Sequence, residues 1–115
     1  MKLPGGDRAI IPPGKLELYC LNPVHGRGGD KARVFAAALG VTLENAGVLR
    51  TALQRAAAEG AARLVASDAF GEQYRIDFTV RHEGRSRKVR SGWIIREPGG
   101  PPYLTTAFVL PSNHG

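Results

Sequence analysis

The chain has 115 residues, of which 43% are hydrophobic and 23% charged, enough for one domain with a single modest core. Sixteen Lys and Arg against ten Asp and Glu leave a net charge of +6, a balance that favours nucleic acid or another acidic partner. Cys20 is the only cysteine, which excludes an internal disulfide and points to a reducing, cytoplasmic setting; no run is apolar enough for a membrane span or an export signal.

Arg8 to Pro13 predicts a short extended arm stopped by its prolines. Lys15 to Leu21 predicts a brief helix with Leu16, Tyr19 and Cys20 on one side, ended by Asn22-Pro23. The stretch His25-Gly26-Arg27-Gly28-Gly29-Asp30-Lys31-Ala32-Arg33 then joins a glycine-rich loop to a helix that runs to Leu39 and is closed by Gly40, with Asp30 as N-cap. Lys31 and Arg33 stand in its first turn, against the helix dipole, which prefers acids there. Cations, glycines and free helix N–H groups together predict a phosphate site beside a histidine. Thr42 is expected to cap a longer helix with Leu43, Ala46, Leu49, Leu53 and Ala56 at helical spacing, fading at Gly60.

Strands follow. Arg63 to Ser67 is a weak candidate. From Gln73 to His82, Tyr74, Ile76, Phe78 and Val80 alternate with Gln73, Arg75, Asp77 and Thr79. Glu83-Gly84-Arg85 reads as a hairpin connection, Lys88 to Arg96 as the next strand with a bulge at Gly92, and Tyr103 to Leu110 as the last. Helices first and strands afterwards predict an α+β domain spanning 1–115, its N-terminal helices packed on an antiparallel sheet of about four strands.

Metal ligand spacings, a Walker loop and a GxSxG motif are all absent, so no metal or cofactor is expected. The remaining chemistry-bearing set is His25, Arg27, Lys31 and Arg33 with Arg90, Ser91, Thr105 and Thr106 from the strands. Such a set suits RNA cleavage without a metal, in which the 2′-OH attacks the neighbouring phosphate. A histidine serves as base, cations stabilise the pentacoordinate phosphorus, and hydroxyls position the phosphate. Ser91 interrupts an apolar strand face and is either a bulge residue or a site residue. Tyr74 is either core or a stacking partner for a base. Arg85, Arg87, Lys88 and Arg90 either solvate the hairpin or grip a nucleic-acid backbone. On residues alone, a ribonuclease, a non-catalytic RNA-binding module and a basic domain bound by an acidic protein remain open.

The order Lys15-Leu16, Tyr19, Leu21-Asn22-Pro23, His25, Gly28, Lys31-Ala32-Arg33-Val34-Phe35, Leu39-Gly40 resembles a bacterial domain family common at the C-termini of polymorphic and contact-dependent-inhibition toxins. So do Tyr74, Asp77-Phe78, Val89-Arg90-Ser91-Gly92-Trp93-Ile94 and Leu104-Thr105-Thr106, so that the likeness covers nearly the whole chain. Such domains are placed with the barnase–EndoU–colicin–RelE-like ribonucleases. The resemblance implies a metal-independent endoribonuclease toxin with His25, Lys31, Ser91 and Thr106 at the catalytic site. It also implies an acidic antitoxin or immunity protein as partner. The chain departs from the pattern at Gly26, where many relatives have proline, and at Asp30, where many have a second histidine.

Overall fold

The structure is a computed structural model that describes residues 1–24 and 29–111. It has the α+β layout expected from the sequence, with the helices mostly N-terminal to a four-stranded antiparallel sheet. The first segment forms a 3₁₀ turn at Gly6–Arg8. Of the expected extended arm, Ile10 pairs with Tyr103 in an isolated parallel bridge. The Ile10 N–H donates to Pro102 O at 2.8 Å and the Leu104 N–H to Ile10 O at 2.9 Å. The brief helix at Lys15–Cys20 is wound as a π-helix and buries Leu16 and Cys20.

Helix α1 spans Gly29–Leu39. It ends where Gly40 adopts φ 68°, a conformation glycine takes without steric penalty. Asp30 lies inside its first turn rather than at the N-cap, and its carboxylate accepts a bond from Arg33 Nη1. The Thr42 capping box is present: Glu44 N–H donates to Thr42 Oγ1 at 3.3 Å, and Thr42 N–H to Asn45 Oδ1 at 2.7 Å. It opens a 3₁₀ turn, Leu43–Asn45, ahead of helix α2 at Ala46–Glu59. That tighter turn moves Leu43 off the buried face, so it is exposed while Leu49 and Leu53 are sealed.

Strands β1 (Ala62–Asp68), β2 (Gly71–His82), β3 (Arg85–Ile95) and β4 (Tyr103–Val109) form a meander in the order β1-β2-β3-β4. Glu83 (φ 50°) and Gly84 (φ 77°) make the two-residue turn between β2 and β3, and His82 pairs directly with Arg85. Positive φ at both turn positions matches the twist of the flanking strands. The bulge expected at Gly92 lies across from it: Gly92 pairs with Thr106 and Trp93 with Leu104, which leaves Thr105 as the extra residue on β4.

Helix α1 lies against β3 and β4, and α2 against β2. The core between the layers is built from Phe35, Leu39, Leu49 and Leu53 on the helices. Ile76, Val89, Trp93, Leu104 and Ala107 supply the sheet side. Ser91 belongs to this core. It is fully buried, donates to Ile76 O at 3.0 Å and accepts from Trp93 Nε1 at 2.9 Å. Ser91→Ala strands the indole N–H in an apolar site and is expected to destabilise the fold by about 1–3 kcal/mol, read from a urea transition. Among the described residues no single helix is long and apolar enough to cross a membrane.

Candidate nucleic-acid interface

Side chains alternate across a strand, so the face of the sheet turned away from the helices carries the complementary set. In β2 these are Gln73, Arg75, Asp77, Thr79 and Arg81; in β3, Lys88, Arg90, Gly92 and Ile94; in β4, Tyr103, Thr106 and Phe108. Arg63 of β1 joins them, paired in register with Arg75. Within β2, β3 and β4 this face bears four cations and the single acid Asp77. Two arginines opposed across a ladder repel one another. Their placement is favourable when an anion lies on the face between them.

Gly92 carries no side chain on this surface, and its neighbours on β4 close over it. A Cβ there would come within 2.8 Å of Thr105 Oγ1 and 3.2 Å of Thr106 Cγ2, so both threonine side chains lean over the glycine. The bulge has this effect because it turns Thr105 to the same side as Thr106. A shallow depression of about 170 Å³ results, lined by Arg75, Arg90, Gly92, Thr105, Thr106 and Phe108 among others.

Lys31 reaches this depression from the helical layer because β4 is an edge strand. Its Nζ donates to Thr106 Oγ1 at 3.2 Å and sits 5.1 Å from the Phe108 ring centroid and 5.6 Å from that of Tyr19. Lys15 lies over the same Tyr19 ring at 5.0 Å. Aromatic faces hold both ammonium groups by their quadrupoles without neutralising them. One row across the sheet therefore reads Arg63, Arg75, Gly92, Thr106 and the Lys31 ammonium.

The expected site set divides. Lys31, Arg90, Thr105 and Thr106 come to this face. Arg33 does not: two residues beyond Lys31, it projects from the other side of α1. It is held there by Asp30 Oδ1 at 2.6 Å and Pro23 O at 3.4 Å. Ser91 is not a site hydroxyl, because its side chain points into the core and both its bonds are used there. Tyr74 likewise is core. It is 5% exposed, with its hydroxyl 3.4 Å from Glu72 Oε1 on the helical side, so it offers no face to a base. His25 and Arg27 lie outside the described residues. Arg75 was missed as a site residue. The alternation had placed it on the polar face, and its position opposite Gly92 came only from the register.

Arg90 is engaged by Asp77 in a two-pronged ion pair, Nε to Oδ1 and Nη2 to Oδ2, both 2.9 Å. The Arg90 hydrogen bonds, with the charges of Arg90, Arg75 and Lys88, hold the Asp77 carboxyl below its usual range. A depressed folded-state pKa contributes stability that is full above the unfolded value, near about 4, and is lost as pH falls through the folded value. Asp77→Asn is therefore expected to lower stability at neutral pH and to flatten the fall toward acid, so that variant and wild type converge below the folded value, measured by denaturation across pH.

No described imidazole faces the depression: His82 lies on the helical side with Nδ1 2.8 Å from Leu39 O. Cys20 is buried, and that burial pushes its thiol up, away from the reactive thiolate. Among the described residues no three His, Cys, Asp or Glu side chains gather into a metal-binding group. The described face can bind an extended anion through Arg75 and Lys31 and orient it by two hydroxyls.

No curated protein and no solved structure matches the chain. The chain belongs to the family described as a domain of unknown function, DUF6883, whose model matches residues 2–111.

Proposed function

We propose that the chain is a metal-independent endoribonuclease of the bacterial toxin type, acting in the cytoplasm and holding RNA across the open sheet face. The observation that carries this reading is the row Arg63, Arg75, Gly92, Thr106 and Lys31 beside a shallow depression. A phosphate in the depression beside Gly92 meets the Arg75 guanidinium on one side and the Lys31 ammonium on the other, with the Thr105 hydroxyl over the glycine and the Thr106 hydroxyl turned toward Lys31. These groups stabilise charge that grows on the phosphorus oxygens during in-line attack. The proposed base is His25. It takes the 2′-OH proton, O2′ bonds to phosphorus, the bond to O5′ breaks, and O5′ takes up a proton from water. Products are a 2′,3′-cyclic phosphate and a 5′-OH end. Lys31 acts as the cation on the reacting phosphate, and the resemblance to toxin domains supports the same assignment. An acidic inhibitor protein is the proposed partner for the basic face.

The same row of cations and hydroxyls also suits a second reading, an RNA-binding module without cleavage. Incubating the purified chain with RNA in EDTA separates the two. The nuclease reading expects cyclic-phosphate ends that disappear in His25→Ala, while binding stays within about two-fold because the lysine and arginines carry most of the phosphate contact. Intact RNA at high enzyme concentration, with salt-dependent binding retained, overturns cleavage and leaves the module.

A further inference from the structure

A different part of the sheet carries an independent inference. Strand β1 pairs with β2 only as far as Ala62 opposite Ile76. The rest of β2, Asp77 to His82, has β3 on one side and no strand among the described residues on the other. The two-residue turn makes His82 and Arg85 a hydrogen-bonded pair. Bonding then alternates along the ladder, so Val80 and Phe78 spend their N–H and C=O groups on β3. Thr79 and Arg81 turn theirs to the empty edge.

Beside that edge lies a groove of about 470 Å³ between α2 and β2. Val48, Ala52 and Phe78 form its apolar wall, each partly buried. Arg55 and Arg81 stand on its rim, with Glu59 the only acid lining it. Free backbone donors and acceptors, an apolar slot on the helical side and arginines at the rim match one kind of occupant.

We propose that the free edge of β2 takes up an extended acidic segment of a partner protein as an added strand. Its backbone bonds Thr79 and Arg81. Alternate apolar residues enter the groove against Val48 and Phe78, the intervening acids face Arg81 on the open side, and Arg55 at the groove rim attracts the acidic segment as a whole. Strand addition of this kind draws affinity from main-chain bonds and specificity from the alternate side chains. The site does not depend on the RNA reading: Thr79 and Arg81 have side chains on the open face, but the bonds proposed here use their backbone at the sheet edge, away from Gly92.

The probe is a capped heptapeptide of alternating aspartate and valine, titrated against the wild-type chain with amide hydrogen exchange read per residue. Saturable binding with slowed exchange at Thr79 and Arg81 is the expected result. N-methylating the peptide amides that face the edge is expected to weaken binding at least about ten-fold, because each lost main-chain bond leaves its partner unpaired. Arg55→Glu with Arg81→Glu is expected to do the same, and the methylated peptide gives the answer on unaltered protein if that variant fails to fold. No binding up to about 1 mM, equal binding of the methylated peptide, or protection confined to the Gly92 face overturns the proposal. Protection of Thr79 and Arg81 that grows with protein concentration alone would assign the edge to a second copy. Protection there by an RNA oligonucleotide and not by the peptide would assign it to nucleic acid.

Discussion

Lys31→Met combined with Arg75→Met is expected to weaken RNA binding by two to four orders of magnitude, taking about 1.5–3 kcal/mol for each charged hydrogen bond lost. The two cations stand on either side of the depression at Gly92, and neither forms an ion pair with a carboxylate among the described residues. The salt dependence of binding should shallow as well, by about 0.7 in log–log slope for each phosphate contact removed from a single strand. The fold should be affected far less. Lys31 makes one long bond to Thr106, and Arg75 stands on the open face, so each is expected to contribute below about 1 kcal/mol to stability. Arg33→Met provides the contrast. Its guanidinium is bound to Asp30 on the far side of α1, so its removal should leave RNA affinity nearly unchanged. Fluorescence anisotropy with a labelled oligonucleotide at several salt concentrations measures all three variants. Equal losses from Arg33→Met and from the double variant would reduce the effect to net charge alone.

The largest expected effect on the fold comes from Trp93→Ala. Trp93 is the bulkiest fully buried side chain, and its indole N–H is satisfied by the equally buried Ser91. Truncation removes apolar packing, leaves a cavity beneath β3 and frees the Ser91 hydroxyl from one of its two partners. A cost of about 3–5 kcal/mol follows for such a site. Single domains have only about 5–15 kcal/mol in total, so this is a large share. The urea midpoint should fall steeply with the slope unchanged. Because Trp93 and Ser91 share a hydrogen bond, the two substitutions should combine to less than the sum of their separate effects.

The sequence carried most of the architecture. Period-two alternation placed Tyr74, Ile76 and Val80 on the face that proves buried, and Arg75, Asp77 and Thr79 on the open one. Gly40, Thr42 and Glu83-Gly84 mark their turns by local chemistry and were readable for that reason. What failed was local geometry that residue type does not determine. A serine inside an apolar strand face looks like a functional exception, yet here it exists to satisfy the Trp93 indole two residues on. Asp30 had an N-cap's composition but sits two residues past the cap position, inside the first turn. The bulge was detectable as a glycine within a strand, but the extra residue lies on the neighbouring strand at Thr105.

The candidate site was legible only in part. Lys31 and Thr106 are 75 positions apart, and nothing local says that they touch. Arg33 shows the opposite limit: adjacency in sequence put it with Lys31, and the helical rotation between them separates the two. Arg75 gained its place from the register that sets it across from Gly92. Such alignments between strands are tertiary facts. Periodicity gives the face on which a residue lies and leaves its neighbour across the ladder unspecified.

The central claim is that RNA phosphate is held on the open sheet face over Gly92. Amide chemical-shift mapping of the chain with a short single-stranded RNA in EDTA tests it directly. The largest changes should fall at Arg75, Gly92, Thr105, Thr106 and Phe108, with Lys31 shifting at the edge. Changes confined to α2 or to the Arg33 side of α1, with the Gly92 row silent, would contradict it.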